Sequence, residues 1–170
     1  MTAPLFRIRE AGEADLPQIT TIYAHYVRTH TATFEIDPPD EAEMRQRWSS
    51  IRAGGFPYFV AEHEGRVLGY CYVTMYRARP AYRHTVENSV YVAPDCAHRG
   101  VGRSLLEAVI SVCEQAGYRE IIAVIGDSGN GASIGLHAKL GFVHVGTLRN
   151  VGFKFGRWLD SVIMQRSLGR

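Results

Sequence analysis

The segment at residues 90–106, VYVAPDCAHRGVGRSLL, constrains the fold more than any other part of the chain. Its β-branched start is typical of a strand, and leucines at helical spacing follow its two glycines. Gly100 and Gly102 would let backbone amides approach a ligand closely. The free N–H groups at the start of the helix would form an anion site, flanked by Arg99 and Arg103. A pyrophosphate is the expected ligand, and the alternative is a plain glycine turn beside surface arginines.

Two common phosphate-binding motifs do not fit this segment. A dinucleotide fingerprint requires a third glycine at position 105, where this chain has Leu105. A P-loop requires Gly-Lys-Ser or Gly-Lys-Thr, and neither triplet occurs in the sequence. A different kind of phosphate-binding loop is therefore expected.

Length and charge bound the class of protein. The 170 residues suit one domain over 1–170, and 46% apolar residues suffice for a buried core. The formal net charge is +2, with both signs interspersed along the chain. This pattern lacks the basic stripe of a nucleic-acid binder and the polybasic patch of a membrane-binding protein, so neither partner is expected.

Cysteine use and hydropathy indicate the compartment. Cys71, Cys96 and Cys113 are odd in number and lack zinc-ligand spacing, so we expect thiols in a reducing cytosol and no metal. The N-terminal segment has no apolar run that suits a signal peptide. No stretch reaches the roughly 18 apolar residues of a membrane span. The sequence therefore predicts a soluble, cytoplasmic protein.

Hydrophobic spacing, glycine and proline predict the element order β-α-α-β-β-β-α-β-α-β-β. The predicted strands cover 5–10, 57–65, 66–76, 84–93, 119–126, 142–152 and 154–168, and the predicted helices cover 15–30, 40–53, 103–116 and 130–140. Strands grouped before a strand–helix–strand unit indicate an α+β fold in three layers. We expect a mixed, mostly antiparallel twisted sheet with helices on both faces.

Several segments together resemble the GNAT superfamily of N-acetyltransferases. The segment 90–106 is similar to its acetyl-CoA pyrophosphate loop, and 130–142, NGASIGLHAKLGF, is similar to its second CoA-side motif. The segments that resemble the phosphinothricin/methionine sulfoximine acetyltransferase branch are 33–35, 85–92 and 153–160. The resemblance extends over about residues 6–167, with the motifs in the order of the family.

The resemblance implies that acetyl-CoA is the acetyl donor. The backbone of the strand would pair with pantetheine, and amides around 100–104 would hold the diphosphate. The residues implied to contact CoA are Val90, Tyr91, Val92, His98, Arg99, Gly100, Val101, Gly102, Arg103, Ser104, Asn130 and Ser133. Asn130 also suits a helix N-cap. The family usually has Gln or Arg where this chain has Ala97, so a somewhat weaker affinity for CoA is expected.

Acetyl transfer to an amine requires a group that accepts a proton from the amine. Glu87 is the candidate base, because it interrupts an otherwise apolar strand, TVENSVYV. Burial would raise the pKa of this carboxyl, and neighbouring arginines would lower it. The alternative is a solvent-facing carboxylate paired with an arginine.

His137 is the second catalytic candidate. It lies seven residues after Asn130, where many members of the superfamily have a tyrosine that protonates the departing thiolate. An imidazole titrates near neutral pH and can act as an acid, or as a base toward the amine. The alternative is a histidine packed on its helix. Which of Glu87 and His137 performs the harder proton transfer stays open.

The basic loop RARPAYR at 77–83 leads into the Glu87 strand. A guanidinium group binds a carboxylate or phosphinate through two parallel hydrogen bonds, which suits an amino-acid-like substrate. The alternative is a solvated basic loop. The substrate-contact candidates, including those implied by the resemblance, are Phe34, Glu35, Arg77, Arg79, Tyr82, Arg83, Glu87, Asn88 and Ser89.

The sequence thus predicts an acetyl-CoA-dependent N-acetyltransferase of small amino-acid-like substrates such as phosphinothricin or methionine sulfoximine. One alternative is acetylation of a protein N-terminus, a polyamine or another amine. Another is an acyl-CoA-binding module without catalysis. The resemblance also implies a homodimer, for which the apolar side chains of Phe153, Phe155 and Trp158 offer a surface.

Overall fold

The computed structural model describes residues 5–169. Residues 1–4, the start of the segment expected to lack a signal peptide, and residue 170 lie outside that range. The strands are β1 (Arg7–Glu10), β2 (Tyr58–His63), β3 (Arg66–Met75), β4 (Thr85–Val92), β5 (Glu120–Gly126), β6 (Val143–Lys154) and β7 (Arg157–Ser167). The α-helices are α1 (Leu16–Thr29), α2 (Glu41–Ala53), α3 (Val101–Gln115) and α4 (Gly131–Lys139).

All seven strands of the described residues lie in one sheet, in the order β1-β2-β3-β4-β5-β7-β6. Neighbouring strands run antiparallel except for β4 and β5, which run parallel. A parallel connection requires a crossover, and α3 supplies it. The predicted element order and the mixed, mostly antiparallel sheet are therefore confirmed.

Local sequence signals explain where several elements begin and end. Asp40 caps α2, because its Oδ1 atom accepts a hydrogen bond from the amide of Glu43 at 2.8 Å. Gly117 follows α3 with a φ of +82°, a conformation that favours glycine. The tight turn between β2 and β3 has positive φ at both Glu64 and Gly65, as predicted for a hairpin at this dipeptide.

Several predicted boundaries are off by one or two residues, and two of these differences affect the site. Helix α3 begins at Val101, so Gly102 is helical. Lys154 belongs to β6 and not to the last strand, because the turn falls at Phe155–Gly156, where both residues have positive φ. The shift buries Lys154, whose Nζ atom donates hydrogen bonds to the carbonyl oxygens of His30 and Thr33.

Helices cover both faces of the sheet, and the faces differ in chemistry. Gly69 of β3 faces α3: a Cβ atom there would lie 3.1 Å from the Val101 side chain. On the opposite face the ring of Tyr91 contacts Tyr23 and Tyr26 of α1. Successive residues of a strand point to opposite faces, so these contacts orient every side chain of β4.

The core lies between the sheet and its helices. Three cysteines, Cys71, Cys96 and Cys113, are buried in it as free thiols, as expected. Within residues 5–169 no helix has the length and apolar content needed to cross a membrane. The same residues contain no group of three or more His, Cys, Asp or Glu side chains that could hold a metal ion.

Candidate active site

A cleft opens where β4 and β5 part. The two strands pair from Thr85–Asn88 against Glu120–Ala123 and diverge beyond that point. From Ser89 to Val92, β4 is paired only with β3, so its other edge faces the cleft. The cleft has a volume of about 850 Å³ and is bordered by the start of α3, by α4 and by the end of α1.

The N-terminus of α3 presents unpaired amides to this cleft. Gly100 precedes the helix with a φ of +80°, and no side chain of the described residues caps the helix. The amides of Val101, Gly102 and Arg103 have no intrahelical partner. The amide of Ser104 does, since it donates to the carbonyl oxygen of Gly100 at 3.0 Å. The Ser104 amide is thus engaged within the helix, and its contact with the diphosphate stays a prediction.

At Gly102 a larger residue would force the neighbouring side chains of the cleft to shift. A Cβ atom at Gly102 would lie 3.3 Å from side-chain atoms of both Leu136 and Val92. These two residues belong to α4 and β4, the opposing walls of the cleft. The glycine therefore lets the helix start approach both walls and leaves room for a bulky anion beside its amides.

Most of the predicted CoA-contact residues line the cleft. They are Val90, Tyr91, Val92, His98, Gly100, Val101, Gly102, Arg103, Asn130 and Ser133. Arg99 and Ser104 are absent from its lining. The side chain of Arg103 bonds to Glu107 at 2.8 Å on the exposed side of the helix. Asn130 caps α4, because its Oδ1 atom accepts from the Ser133 amide at 3.2 Å.

Sequence reasoning missed one wall of the cleft, which comes from the end of α1 and the loop after it. Tyr26, His30, Thr31 and Ala32 line this wall. The Tyr26 hydroxyl donates to the carbonyl oxygen of Val92 at 2.7 Å. Tyr26 shares the apolar side of α1 with Tyr23, which also carries a hydroxyl, so the sequence carried little signal for this wall.

Phe34 and Glu35, which were expected to wall the pocket, lie outside the cleft lining. The Phe34 ring packs on Gly152 of β6, where a Cβ atom would lie 2.4 Å from the ring. Glu35 accepts hydrogen bonds from the Tyr23 hydroxyl at 2.8 Å and from Arg47 at 2.6 Å. Both residues thus fix the loop in place, and the residues of the loop that wall the cleft are 30–32.

Glu87 lies on the α1 face of the sheet, because it alternates with Tyr91 along β4. It is half-buried at the point where β4 and β5 part. Burial raises the pKa of its carboxyl, and the positive charge of Arg77 opposes this shift. A carboxyl with a raised pKa can accept a proton from an amine and release it to water.

His137 lies on the opposite face, in α4. The ring is buried, and its Nδ1 atom lies 2.8 Å from the carbonyl oxygen of Ser133. Its Nε2 atom lies 3.0 Å from the Nδ2 atom of Asn88. Burial lowers the pKa of the imidazole, and the Ser133 carbonyl opposes this shift. Glu87 and His137 therefore lie on different faces of the sheet, and of the two His137 lines the cleft.

The predicted substrate residues separate into two groups. Asn88 and Ser89 line the cleft, whereas the loop at 77–83 does not. In that loop the guanidinium carbon of Arg77 lies 4.5 Å from the centre of the Tyr76 ring. The other predicted members of the loop, Arg79, Tyr82 and Arg83, are exposed.

Comparison with known proteins identifies the family. Residues 8–163 match the family model described as an acetyltransferase (GNAT) domain. The chain belongs to the GNAT acetyltransferase family. A phosphinothricin N-acetyltransferase of Alcaligenes faecalis is 57% identical over 95% of this chain and 82% of its own length. An L-methionine sulfoximine/L-methionine sulfone acetyltransferase of Pseudomonas aeruginosa is 46% identical, over 95% of this chain and 94% of its own.

A solved structure of the family matches the fold throughout. A GNAT superfamily phosphinothricin acetyltransferase from Sinorhizobium meliloti, in complex with AcCoA, superposes with a TM-score of 0.94. It shares 45% sequence identity, over 97% of this chain and 89% of that one. This GNAT chain is thus an acetyltransferase, and acetyl-CoA is the acetyl donor in its family.

The cleft of this GNAT chain suits acetyl-CoA on its own geometry. The unpaired edge of β4 at 89–92 can take an extended amide chain, as pantetheine is. The unpaired amides of Val101, Gly102 and Arg103 provide N–H donors at a helix start, an arrangement that suits an anion. Acetyl-CoA supplies an acetyl group as a thioester, which an amine can attack.

Proposed function

We propose that this chain acetylates the primary amine of a small amino-acid-like substrate, such as phosphinothricin or methionine sulfoximine and its sulfone. N-acetylation of such compounds would be a detoxification reaction. The observation that carries the proposal is the carboxyl of Glu87, held half-buried beside a cleft that suits acetyl-CoA, with Arg77 near it. The names of the relatives support the same class of substrate.

In the proposed chemistry Glu87 accepts a proton and Arg77 binds the carboxylate of the substrate. The carboxylate of Glu87 takes a proton from the substrate ammonium, directly or through water, because only a neutral amine can attack a thioester. Arg77 holds the carboxylate of the amino acid, since its exposed guanidinium lies near Glu87 and makes no close ion pair within residues 5–169. The remaining proposed contacts to the substrate come from Asn88 and Ser89, which line the cleft.

The test of this proposal is release of free thiol from acetyl-CoA upon addition of an amine. Methionine sulfoximine and phosphinothricin should each produce stoichiometric thiol and an N-acetyl product. A peptide with a free N-terminus and a polyamine test the alternative acceptors. Turnover only with those acceptors would replace the proposed substrate class. No thiol release with any amine would favour a non-catalytic acyl-CoA-binding module.

Replacing Arg77 with glutamine is expected to raise KM for the amino acid by roughly tenfold or more, since a charge-assisted hydrogen bond contributes about 1.5–3 kcal/mol. The dissociation constant of acetyl-CoA should not change. Arg83→Gln is the matched control, because Arg83 lies in the same loop and bonds only to the carbonyl oxygen of Pro80. Equal KM values for both variants would remove Arg77 as the carboxylate contact.

We also propose that the protein is a cytoplasmic homodimer. Its three buried free thiols suit a reducing compartment. The edge strand β6, its partner β7 and the turn between them carry apolar side chains that are 55–65% exposed, namely Val143, Val145, Leu148, Val151, Phe153, Phe155 and Trp158. Several large apolar side chains exposed along one edge of a sheet are typical of a protein–protein interface.

A charge introduced on this surface is expected to dissociate the dimer. Phe153→Glu should shift the mass measured by light scattering from two chains to one at micromolar concentration, because an unpaired carboxylate would be buried at the interface. Leu5→Glu is the control, since Leu5 is 83% exposed and precedes β1, at the other edge of the sheet. A wild-type protein that sediments as a monomer would contradict the proposed dimer.

A further inference from the structure

Asn88 carries a buried polar atom without a partner. Its side chain is 5% exposed, and its Oδ1 atom makes no hydrogen bond to any described residue. A buried carbonyl oxygen left unpaired costs about 1–3 kcal/mol, so native structures seldom keep one without a function. Asn88 forms the last paired position of β4 with β5 and lines the closed end of the cleft.

The orientation of the Asn88 amide follows from His137. The carbonyl oxygen of Ser133 can only accept, so the Nδ1 atom of His137 carries the proton in their 2.8 Å hydrogen bond. In the neutral imidazole the Nε2 atom is then an acceptor, and the Nδ2 atom of Asn88 donates to it at 3.0 Å. The Oδ1 atom of Asn88 is consequently turned away from the histidine.

The same hydrogen bonds constrain what His137 can do. A direct acid for the thiolate would need a proton on Nε2 and a path from that atom to the sulfur. Nε2 accepts from Asn88 instead, and the buried ring is held neutral. The contact between Asn88 and His137 also joins β4 to α4, the two walls of the cleft, at its closed end.

We propose that His137 is a positioning residue that acts through Asn88, and that the Asn88 Oδ1 atom accepts a hydrogen bond from an N–H group of the bound reactants. This inference rests on the proposed function, because the N–H group belongs either to the pantetheine arm of acetyl-CoA or to the substrate amine. His137 thus transfers no proton, and Glu87 is the only proton acceptor of the pair. The departing CoA thiolate then takes its proton from water or from the attacking ammonium nitrogen, which loses one as the amide forms.

A double-mutant cycle on kcat/KM tests the inference. The variants are Asn88→Ala, His137→Ala and the double variant, each checked by circular dichroism to be folded at the assay temperature. If His137 acts through Asn88, each single variant should lose roughly tenfold, the value of about one buried hydrogen bond, and the double variant should lose no more than either. Losses that multiply, or a loss above 100-fold for His137→Ala alone, would overturn the inference.

Two further measurements separate positioning from proton transfer. His137→Gln offers an amide oxygen to the Asn88 N–H and should recover most of the activity. In His137→Ala, kcat should be lower at every pH, and its pH profile should keep both the acidic and the basic limb of the wild-type profile. Loss of one limb, or a His137→Gln variant as slow as His137→Ala, would assign a direct proton transfer to the histidine.

The dissociation constant of acetyl-CoA and KM for the amino acid show which reactant carries the N–H group. If the N–H group belongs to pantetheine, Asn88→Ala should raise the dissociation constant of acetyl-CoA by roughly tenfold in calorimetry. If it belongs to the substrate amine, Asn88→Ala should raise only KM for the amino acid. Unchanged values for both would remove Asn88 as an acceptor. Failure of the proposed function has a different signature, because wild-type protein would then release no thiol with any amine.

Discussion

Replacing Glu87 with glutamine is expected to lower kcat by roughly 100-fold or more, the usual loss when a proton-transfer residue is removed. Glutamine keeps the size of the side chain but cannot take a proton from an ammonium group. The dissociation constant of acetyl-CoA should stay within error, since Glu87 lies on the α1 face and outside the cleft lining. Single-turnover thiol release separates this loss from any change in binding.

The pH dependence of the same variant gives a second readout. Burial raises the pKa of Glu87 above the ordinary range of glutamate. The carboxyl is therefore protonated and inactive below that raised pKa, so wild-type kcat should fall as the pH falls through it. Glu87→Gln should lose this acidic limb. Glu64→Gln, at an exposed turn, is the control. A Glu87→Gln enzyme within threefold of wild type would contradict the assigned base.

Replacing Gly102 with glutamate is expected to raise the dissociation constant of acetyl-CoA by roughly 100-fold or more. The new side chain would have to fit between Leu136 and Val92, because a Cβ atom at position 102 would lie 3.3 Å from side-chain atoms of both. Its carboxylate would also repel the diphosphate beside the amides. Loss of one or two charge-assisted hydrogen bonds, each about 1.5–3 kcal/mol, accounts for this magnitude.

Ser111→Glu is the matched control for this charge. Ser111 lies on the exposed side of the same helix. Ser111→Glu therefore has the same net charge as Gly102→Glu, but its added carboxylate lies away from the cleft. Isothermal calorimetry should give wild-type affinity for it. If both glutamate variants bound acetyl-CoA equally well, the start of α3 would not be the diphosphate site.

The parts of the site that lie within one local segment could be predicted from the sequence. The strand–glycine–helix pattern at 90–106 specified the strand, the turn and the helix start with its unpaired amides, since these features depend on neighbouring residues. The position of Glu87 in an apolar strand likewise indicated a shifted pKa. The element order followed from periodicity, and the boundary errors at Val101 and Lys154 amount to one or two residues.

The contacts between distant segments could not be predicted. The hydrogen bond between Asn88 and His137 joins residues 49 positions apart, and no local pattern encodes it. The wall formed by residues 30–32 depends on Lys154, whose Nζ atom holds the carbonyl oxygens of His30 and Thr33. Such partners are set by the packing of the whole sheet, so periodicity within one element carries no information about them.

The central claim is that main-chain amides at the start of α3 bind the diphosphate of acetyl-CoA. Calorimetry with acetyl-CoA and with acetylpantetheine, which lacks the diphosphate and nucleotide, tests it most directly. We expect acetyl-CoA to bind at least 100-fold more tightly to the wild-type protein, because helix amides provide charge-assisted hydrogen bonds. In Gly102→Glu this difference should nearly vanish. Equal affinity of the two compounds for folded wild-type protein, or no binding of acetyl-CoA, would contradict the claim.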